Sequence, residues 1–475
     1  MKKAFAGVRL KRLRQERGLT QQAFASAAGI SLSYLNQLEN NQRPLTVPVL
    51  LKLNAAFGID LRLLSDDDEA RLISDLKEAV SDPALGETID ATELRELASN
   101  MPAVGRALVA LHRRHGRALD QLAALAARIG DDRQGDAPLP PSTAFEEVRD
   151  FFYARHNHIA ELDEAAERIA GDAAIATGQA ADALSARLAA VHGVNVVIDA
   201  SLSGDMQRRF DKEARVLRLS AHLRPGQQAF QMATQLAFLE CGDRIEAVAA
   251  TGAFGNRESH ALARIGLANY FAGALIMPYS AFLAAAEAVR YDIELLAHRF
   301  GVGFETTCHR LSTLQRHGAK GVPFFFIRVD RAGNISKRQS ATDFHFSRFG
   351  GTCPLWNVYE AFAEPGRVLT QFASMPDGRA YLWIARSVSR GRGGYRAPRK
   401  TFAVALGCDV RHASRLVYAD GLDLASPAAA TPIGAGCRIC ERPACPQRAF
   451  PSLGQPIDPD EDRGVFAPYA AGPPA

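Results

Sequence analysis

Residues 10–43 read LKRLRQERGLTQQAFASAAGISLSYLNQLENNQR, and this stretch decides the class of the N-terminal module. Thr20 is a good helix N-cap with Gln21 and Gln22 behind it. The helix it opens carries Phe24 and Ala27-Ala28 inward and stops at Gly29. Ser31 then opens a further helix with Leu32, Leu35 and Leu38 on its buried side. A short helix, a glycine at the turn and a second helix with an apolar inner face are the parts of a helix-turn-helix. The outer face offers Ser31, Ser33, Tyr34, Asn36 and Gln37, which can hydrogen-bond base edges or phosphates in a major groove. Gln21 suits a phosphate oxygen, while Arg12 on the first helix and Arg43 after the third add attraction to the DNA backbone.

The charge distribution supports that reading. The chain carries 56 Lys and Arg against 52 Asp and Glu, a net +4. Residues 1–65 hold ten of the bases and three of the acids, so this segment is +7 and the remainder −3. A small basic module on a slightly acidic body is the footprint of a polyanion binder, although a solvated basic helix gives the same count.

Outward from this module, 475 residues at roughly 150 per domain suggest about three domains. A hydrophobic share of 47% with 23% charged residues excludes a disordered or fibrous chain. The apolar stretch Ile265 to Met277, which still contains Asn269, is shorter than a membrane span, and no secretory apolar region follows Lys2-Lys3, so a cytoplasmic protein without membrane contact is expected. The expected fold is multidomain: an all-α helix-turn-helix domain, a helical connector, then an α+β effector domain. The boundaries are 1–65 for the DNA-binding module, 66–142 for the connector and linker, 143–320 for a mainly helical region, 321–455 for a β-rich effector domain, and 456–475 for a tail. The linker is DDRQGDAPLPPS at 131–142. Leu94, Leu97, Met101, Leu108, Leu111, Leu119, Leu122 and Leu125 recur at helical spacings, which suits an internal core or a homodimer surface. Further on, Phe145–Ala170 and Gly178–Val191 read as helical, and a long helix is expected from Gly226 to about Glu240. Strands are expected at Val194–Asp199, Val216–Ser220, Phe324–Val329, Tyr381–Val388 and Lys400–Gly407.

Cys437, Cys440 and Cys445 form C-x2-C-x4-C-P, three thiols within one loop. In a reducing compartment such clustering points to a metal before a disulfide. Three local cysteines ending in Cys-Pro with a distant fourth look like ligands of a 4Fe-4S iron–sulfur cluster. Cys408, at the end of an expected strand, is the best fourth; zinc, with His412, and free thiols are the alternatives. Cys241, Cys308 and Cys353 read as small buried hydrophobes. Arg328, Lys337, Arg338 and Arg348 lie on a stretch that also holds Phe324, Phe344, Phe346, Trp356 and the Gly350-Gly351 pair. Cations beside apolar surface are the pattern both of an anionic-ligand site and of sheet core with a solvated edge.

The N-terminal string closely resembles the lambda-repressor-like XRE family, which implies double-stranded operator DNA as partner. The region from Phe145 resembles the ImmA/IrrE family, whose helix carries a zinc-binding His-Glu-x-x-His. In FQMATQLAFLE (residues 230–240), Thr234 and Phe238 stand where the zinc ligands would be and Gln235 where the base would be. A phenyl ring binds no zinc and an amide takes up no proton, so a non-catalytic scaffold is expected, with His222, His260 and His309 as scattered groups. Residues 145–450 resemble the short-chain fatty acyl transcriptional regulators, through strings such as LANYFAGALIMPY and CRICERPACPQRAF. That resemblance implies a regulator of propionate (methylcitrate), glyoxylate or related acyl metabolism with an acyl-CoA effector, and it favours the iron–sulfur reading. A zinc peptidase acting on a repressor, and a redox or iron sensor, are the rival readings.

Overall fold

A computed structural model describes residues 7–40, 42–43, 46–57, 66–80, 89–129, 144–202, 206–342, 344, 352–391, 396, 399–437, 440, 442, 445–448, 451 and 462. The chain divides into two compact units, Met1–Pro140 with Arg448–Ala475, and Pro141–Gln447. The 131–142 linker and nearly all of the 456–475 tail lie outside the described residues.

In the first unit, α1 (Gly7–Glu16), α2 (Gln21–Ala27), α3 (Leu32–Glu39) and α4 (Val47–Phe57) surround a core of Leu10, Phe24, Leu35, Leu38 and Leu53. Phe57 stacks on Phe24 with ring centroids 4.3 Å apart, fastening α4 to α2. Thr20 and Ser31 cap α2 and α3, accepting from the amides of Ala23 at 3.2 Å and Tyr34 at 3.1 Å. Both caps fall where the hydroxyls predict them.

Next come α5 (Asp66–Val80), α6 (Ala91–Asn100) and α7 (Pro102–Ile129), packed around Leu72, Leu76, Leu94, Ala98 and Val109. Gly105 lets α7 lie close on α5: a Cβ there would stand 3.2 Å from the side chains of Leu72 and Leu76. The leucine stripe is therefore divided. Leu94 is buried, whereas Met101, between α6 and α7, is 55% exposed, and Val104, Leu108 and Leu111 on α7 are 54, 37 and 64% exposed. The side chains of Leu119, Leu122 and Leu125 lie outside the described residues.

The second unit begins with α8 (Ala144–Tyr153) and α9 (Ala160–Asp172), two helices within the stretch that reads as helical. His156 and Asn157 take left-handed φ angles of 50° and 58°, which end α8 and redirect the chain. The buried Asn157 side chain holds this turn inside the protein. After α10 (Ala180–His192), strands β1 (Asn195–Asp199), β2 (Arg208–Asp211) and β3 (Val216–Ser220) form a sheet of order β1-β3-β2. Helices α11 (Pro225–Glu240), α12 (Gly242–Ala250), α13 (Arg257–Ile276), α14 (Tyr279–Ala288), α15 (Ile293–Arg299) and α16 (Phe304–Leu311) follow. No single described helix is long and apolar enough to cross a membrane.

Then come β4 (Phe325–Val329), β5 (Ile335–Ser340), α17 (Asn357–Glu360), β6 (Leu369–Ser374), β7 (Ala380–Gly391), β8 (Arg399–Asp409) and β9 (Thr431–Pro432), a six-stranded sheet of order β5-β4-β8-β7-β6-β9. Strand alternation gives it two faces. Phe326, Leu382, Ile384, Val404, Leu406 and Cys408 join the core of the preceding helices. Phe325, Ile327, Tyr381, Trp383, Ala403 and Ala405 build a second core with Phe344, Cys353, Trp356 and Ile433. The helical region and the sheet thus share one core across residue 320, because one sheet face is covered by those helices. Strands β2, β5 and β6 were not anticipated. Arg208-Arg209 and Ser336-Lys337-Arg338-Gln339 carry too few apolar residues to signal a strand, and pairing with β3 and β4 forms them instead.

Candidate functional site

The outer face of α3 is presented as its sequence requires. Ser33 and Asn36 are exposed, and Tyr34 and Gln37 are half-exposed. The Asn36 carboxamide oxygen accepts from Asn40 Nδ2 at 2.6 Å, which orients it along the helix. Arg43 places its guanidinium 5.8 Å from the Tyr34 ring centroid. Ser31 is committed as the cap of α3, leaving its hydroxyl proton for a further acceptor. Gln21 is committed elsewhere: its amide nitrogen donates to Glu39 at 2.7 Å. Glu39 also receives two bonds from Arg14, at 2.6 and 3.1 Å. Burial alone would raise the Glu39 carboxyl, but Arg14 and Gln21 hold it below the usual carboxylate range. This inner ion pair locks α1 to the end of the recognition helix. The Arg12 side chain lies outside the described residues.

The cysteine site is built on the second face of the large sheet. β9 runs parallel to β6 and delivers Ile433 and Gly434 to that core. The Gly434 amide donates to Cys353 Sγ at 3.4 Å, and its carbonyl accepts from Trp356 Nε1 at 3.0 Å. A Cβ on Gly434 would stand 2.7 Å from Cys440 Sγ, so this position admits only glycine beside the thiol. Burial pushes the Cys353 thiol up to about 11, and nearby Cys440 and Cys445 push the same way. Arg442 clamps the loop by donating to the carbonyls of Ile433 at 3.1 Å and Ser374 at 2.6 Å. Cys437 and Cys440 are buried and Cys445 half-buried.

Cys408 is not part of this group. It pairs with Leu382 across β7 and β8 and points into the helix-side core, through the sheet from Cys353. Alternation along β8 thus turns Cys408 to the helix-side core, whereas Cys353 lies near Cys440 and Cys445. A signal for Cys353 was present, since Cys353-Pro354 repeats the Cys445-Pro446 dipeptide. His412, the zinc alternative, lies on a short helical turn after β8, away from the loop's own contacts. Among the described residues no three His, Cys or acidic side chains converge tightly enough for a single metal ion.

The basic candidates divide between the two faces of β4 and β5. Arg328 pairs in register with Lys337, and Arg338 with Ile327, so Arg338 faces the cysteine-side core and the other two face α16. Arg328 bonds Glu305 on α16 at 2.7 Å and lies 4.7 Å from the Phe402 ring centroid. His309, one turn beyond Glu305, meets the edge of Phe326, and burial with surrounding cations holds its imidazole well below its ordinary pKa. Arg348, Phe346 and Gly350-Gly351 lie outside the described residues. Glu305 and His309 belong to this recess but carried no pattern in sequence.

On α11, Thr234 turns its hydroxyl to the Phe230 carbonyl at 2.7 Å, and Gln235 is buried. Arg208 on β2 lies 5.6 Å from the Phe238 ring centroid, its guanidinium lowered to about 10 by burial. His222 is exposed and His260 pairs with Glu246 at 3.1 Å, so neither approaches His309 in a shared site.

A capped recognition helix with its polar face outward, on a basic four-helix module, defines a DNA-binding transcriptional regulator. Residues 10–64 match the helix-turn-helix family, 189–312 the IrrE N-terminal-like domain, and 313–469 the C-terminal domain of the short-chain fatty acyl coenzyme A regulators. The chain is 50% identical over 471 residues to the HTH-type transcriptional regulator PrpR of Mycobacterium tuberculosis, covering 99% of this chain and 96% of that one. It is equally identical to RamB of the same species, covering 99% of each, and 46% identical to the propionyl-CoA carboxylase regulator of Cereibacter sphaeroides, covering 98% of each. A solved Mycobacterium tuberculosis transcriptional regulator superposes with a TM-score of 0.68 at 53% identity, covering 69% of this chain and all of that one. The chain belongs to the short-chain fatty acyl coenzyme A regulator family.

Proposed function

We propose that this regulator binds a two-fold operator as a homodimer and that a short-chain acyl-CoA, bound in the second unit, sets its affinity for DNA. The observation that carries the effector reading is the register pair Arg328–Lys337. Two cations share the recess over α16 with one carboxylate, Glu305, beside the apolar rings of Phe326 and Phe402. The excess positive charge suits coenzyme A phosphates, and the rings suit its apolar portions. The family description and the name of the Cereibacter relative point to the same metabolite class. The homodimer reading rests on α7, where Val104, Leu108 and Leu111 are exposed at the four-three spacing of a coiled-coil seam.

The cysteine site fits a 4Fe-4S cluster held by Cys353, Cys437, Cys440 and Cys445. Gly434 stands between two of these thiols, its amide donating to Cys353 Sγ and its α-carbon lying against Cys440. Such a cluster would join the loop to the sheet and supply a one-electron redox couple. In this reading the IrrE-like region is a scaffold without peptidase chemistry, since Thr234, Gln235 and Phe238 offer neither zinc ligands nor a base.

The test is operator binding by the full-length protein titrated with propionyl-CoA and free coenzyme A. A shift in operator affinity with the thioester, abolished by Arg328→Ala, supports the reading; no shift with any short-chain acyl-CoA defeats it. Repeating the titration with cluster-loaded and cluster-free protein separates it from a redox-sensing role.

A further inference from the structure

Lys337 stands apart from the other charged groups of its recess. Glu305 is taken by Arg328 at 2.7 Å. Among the described residues, no acceptor lies within hydrogen-bonding or ion-pairing distance of the Lys337 ammonium. Its half-buried side chain projects from β5 on the same face as Arg328, toward α16. The groups on the elements packed around it are Glu305, His309 and Arg310 on α16, Arg328 on β4, and Glu146, Glu147, Arg149 and Asp150 on α8. Arg310 is engaged by Asp163 at 2.7 Å, and Arg149 by Asp150 at 3.3 Å and Glu146 at 3.6 Å. Glu147 accepts from the Gly255 amide at 3.0 Å. The recess thus presents an unneutralised amine beside a guanidinium and an uncharged imidazole.

We propose that Lys337 is a modification site: its Nζ is acylated by the short-chain acyl-CoA that the recess binds. This rests on the acyl-CoA reading above. In the step, the lone pair of the neutral amine attacks the thioester carbonyl. The carbon–sulfur bond breaks as the carbon–nitrogen amide bond forms. Coenzyme A leaves as thiolate, and the proton lost from nitrogen passes through solvent or the His309 imidazole to give the free thiol. No electron donor or acceptor is required. Arg328 favours the step by holding phosphate and by keeping Glu305 from pairing with the amine. Burial, opposed by Glu305 and aided by Arg328, brings the Lys337 pKa down to about 8, so the nucleophilic form is abundant near neutral pH. The amide removes the lysine charge and fills the recess with an apolar chain, leaving a covalent record of effector exposure.

The experiment incubates the full-length protein with propionyl-CoA and follows lysine acylation by peptide mass spectrometry, from pH 7 to 10. Lys337 is expected to react about tenfold faster than the exposed Lys52, Lys212 and Lys320 at pH 7.5, the excess shrinking toward pH 10 as ordinary lysines deprotonate. Lys337→Arg should remove this adduct while the exposed lysines react as before. Equal acylation of all four lysines overturns the proposal. Calorimetry with propionyl-CoA runs in parallel. Saturable binding with Lys337 unmodified overturns acylation and leaves the effector reading standing, whereas absence of binding overturns both.

Discussion

Arg310 closes on Asp163 across 147 residues of sequence, donating from two nitrogens at 2.7 and 3.3 Å, with both side chains essentially out of solvent. Tyr270 adds a third bond to the same carboxylate at 2.6 Å, and Arg310 also donates to the Met277 carbonyl at 3.0 Å. Helices α9, α13 and α16 are thereby tied at one point. Burial would raise the Asp163 carboxyl, but Arg310 and its other partners hold it far below the carboxylate range. Arg310→Ala strands a buried charge and should cost about 3–5 kcal/mol, read from the urea midpoint. The double change Arg310→Met with Asp163→Leu should cost less than Arg310→Ala. A double variant at least as unstable as the single would show that packing, not charge, governs the site.

The two cysteine candidates separate cleanly by experiment. Cys353→Ser, like Cys437→Ser, Cys440→Ser or Cys445→Ser, should remove the visible absorption of anaerobically purified protein and lower its melting temperature. Cys408→Ser should keep the absorption but lose about 1–2 kcal/mol, because a hydroxyl enters an apolar core. Stoichiometric zinc without iron, in protein purified from iron-replete cells, would sink the cluster assignment.

On the recognition helix, Gln37→Ala and Ser33→Ala should each weaken cognate operator binding by about 1–3 kcal/mol with little effect on random DNA. Arg12→Ala should weaken both and flatten the salt dependence. Gln21→Ala should act through stability as well, since its amide serves Glu39. Binding assays on both DNAs across a salt series check each expectation.

Glu39 links stability to acidity. Its folded pKa is depressed, so its contribution is fully present above the ordinary carboxylate pKa and is lost as pH falls through the depressed folded value. The helix-turn-helix module should therefore lose stability on acidification below about pH 4.5. Arg14→Ala should flatten that response and cost ~1–3 kcal/mol at neutral pH, because the carboxylate keeps only Gln21. Acid titration followed by circular dichroism provides the readout.

Chelators should find no peptidase activity to inhibit in a protein whose α11 carries Thr234, Gln235 and Phe238. Incubation with casein or a partner repressor should give no metal-dependent cleavage, and Gln235→Ala should change nothing in that assay. Chelator-sensitive proteolysis lost on altering α11 would reverse the scaffold reading.

Local chemistry was legible in sequence, and long-range pairing was not. Thr20 and Ser31 announced their helices because a capping hydroxyl acts within three residues. The strands rich in Phe, Val and Ile were visible for the same local reason. The break at His156-Asn157 was hidden, since no Gly or Pro marks it, and Asn tolerates a left-handed φ without requiring one. Lys337 and Arg328 were singled out without their partners, because Glu305 and His309 lie on a helix brought over them by the shared core. The strand end at Cys408 was visible, but the side of the sheet its thiol faces depends on the parity of its position on β8, which only the pairing reveals. The exposed part of the leucine stripe shows the same limit: spacing marks a helix face, not what covers it.

β4 carries alternate residues to both cores: Phe325 and Ile327 to the cysteine side, Phe326 and Arg328 to the α16 side. Its neighbour β8 passes Gly407 beneath the Phe325 ring, where an added Cβ would stand 2.0 Å from that ring. The strand therefore has no slack to move on one face alone. Thermodynamic reciprocity then binds the two faces together. If loading the thiols changes acyl-CoA affinity by some factor, saturating acyl-CoA must change the thiols' hold on their ligand by the same factor. Under the proposed cluster and effector, iron retention would then be a second gauge of the metabolite.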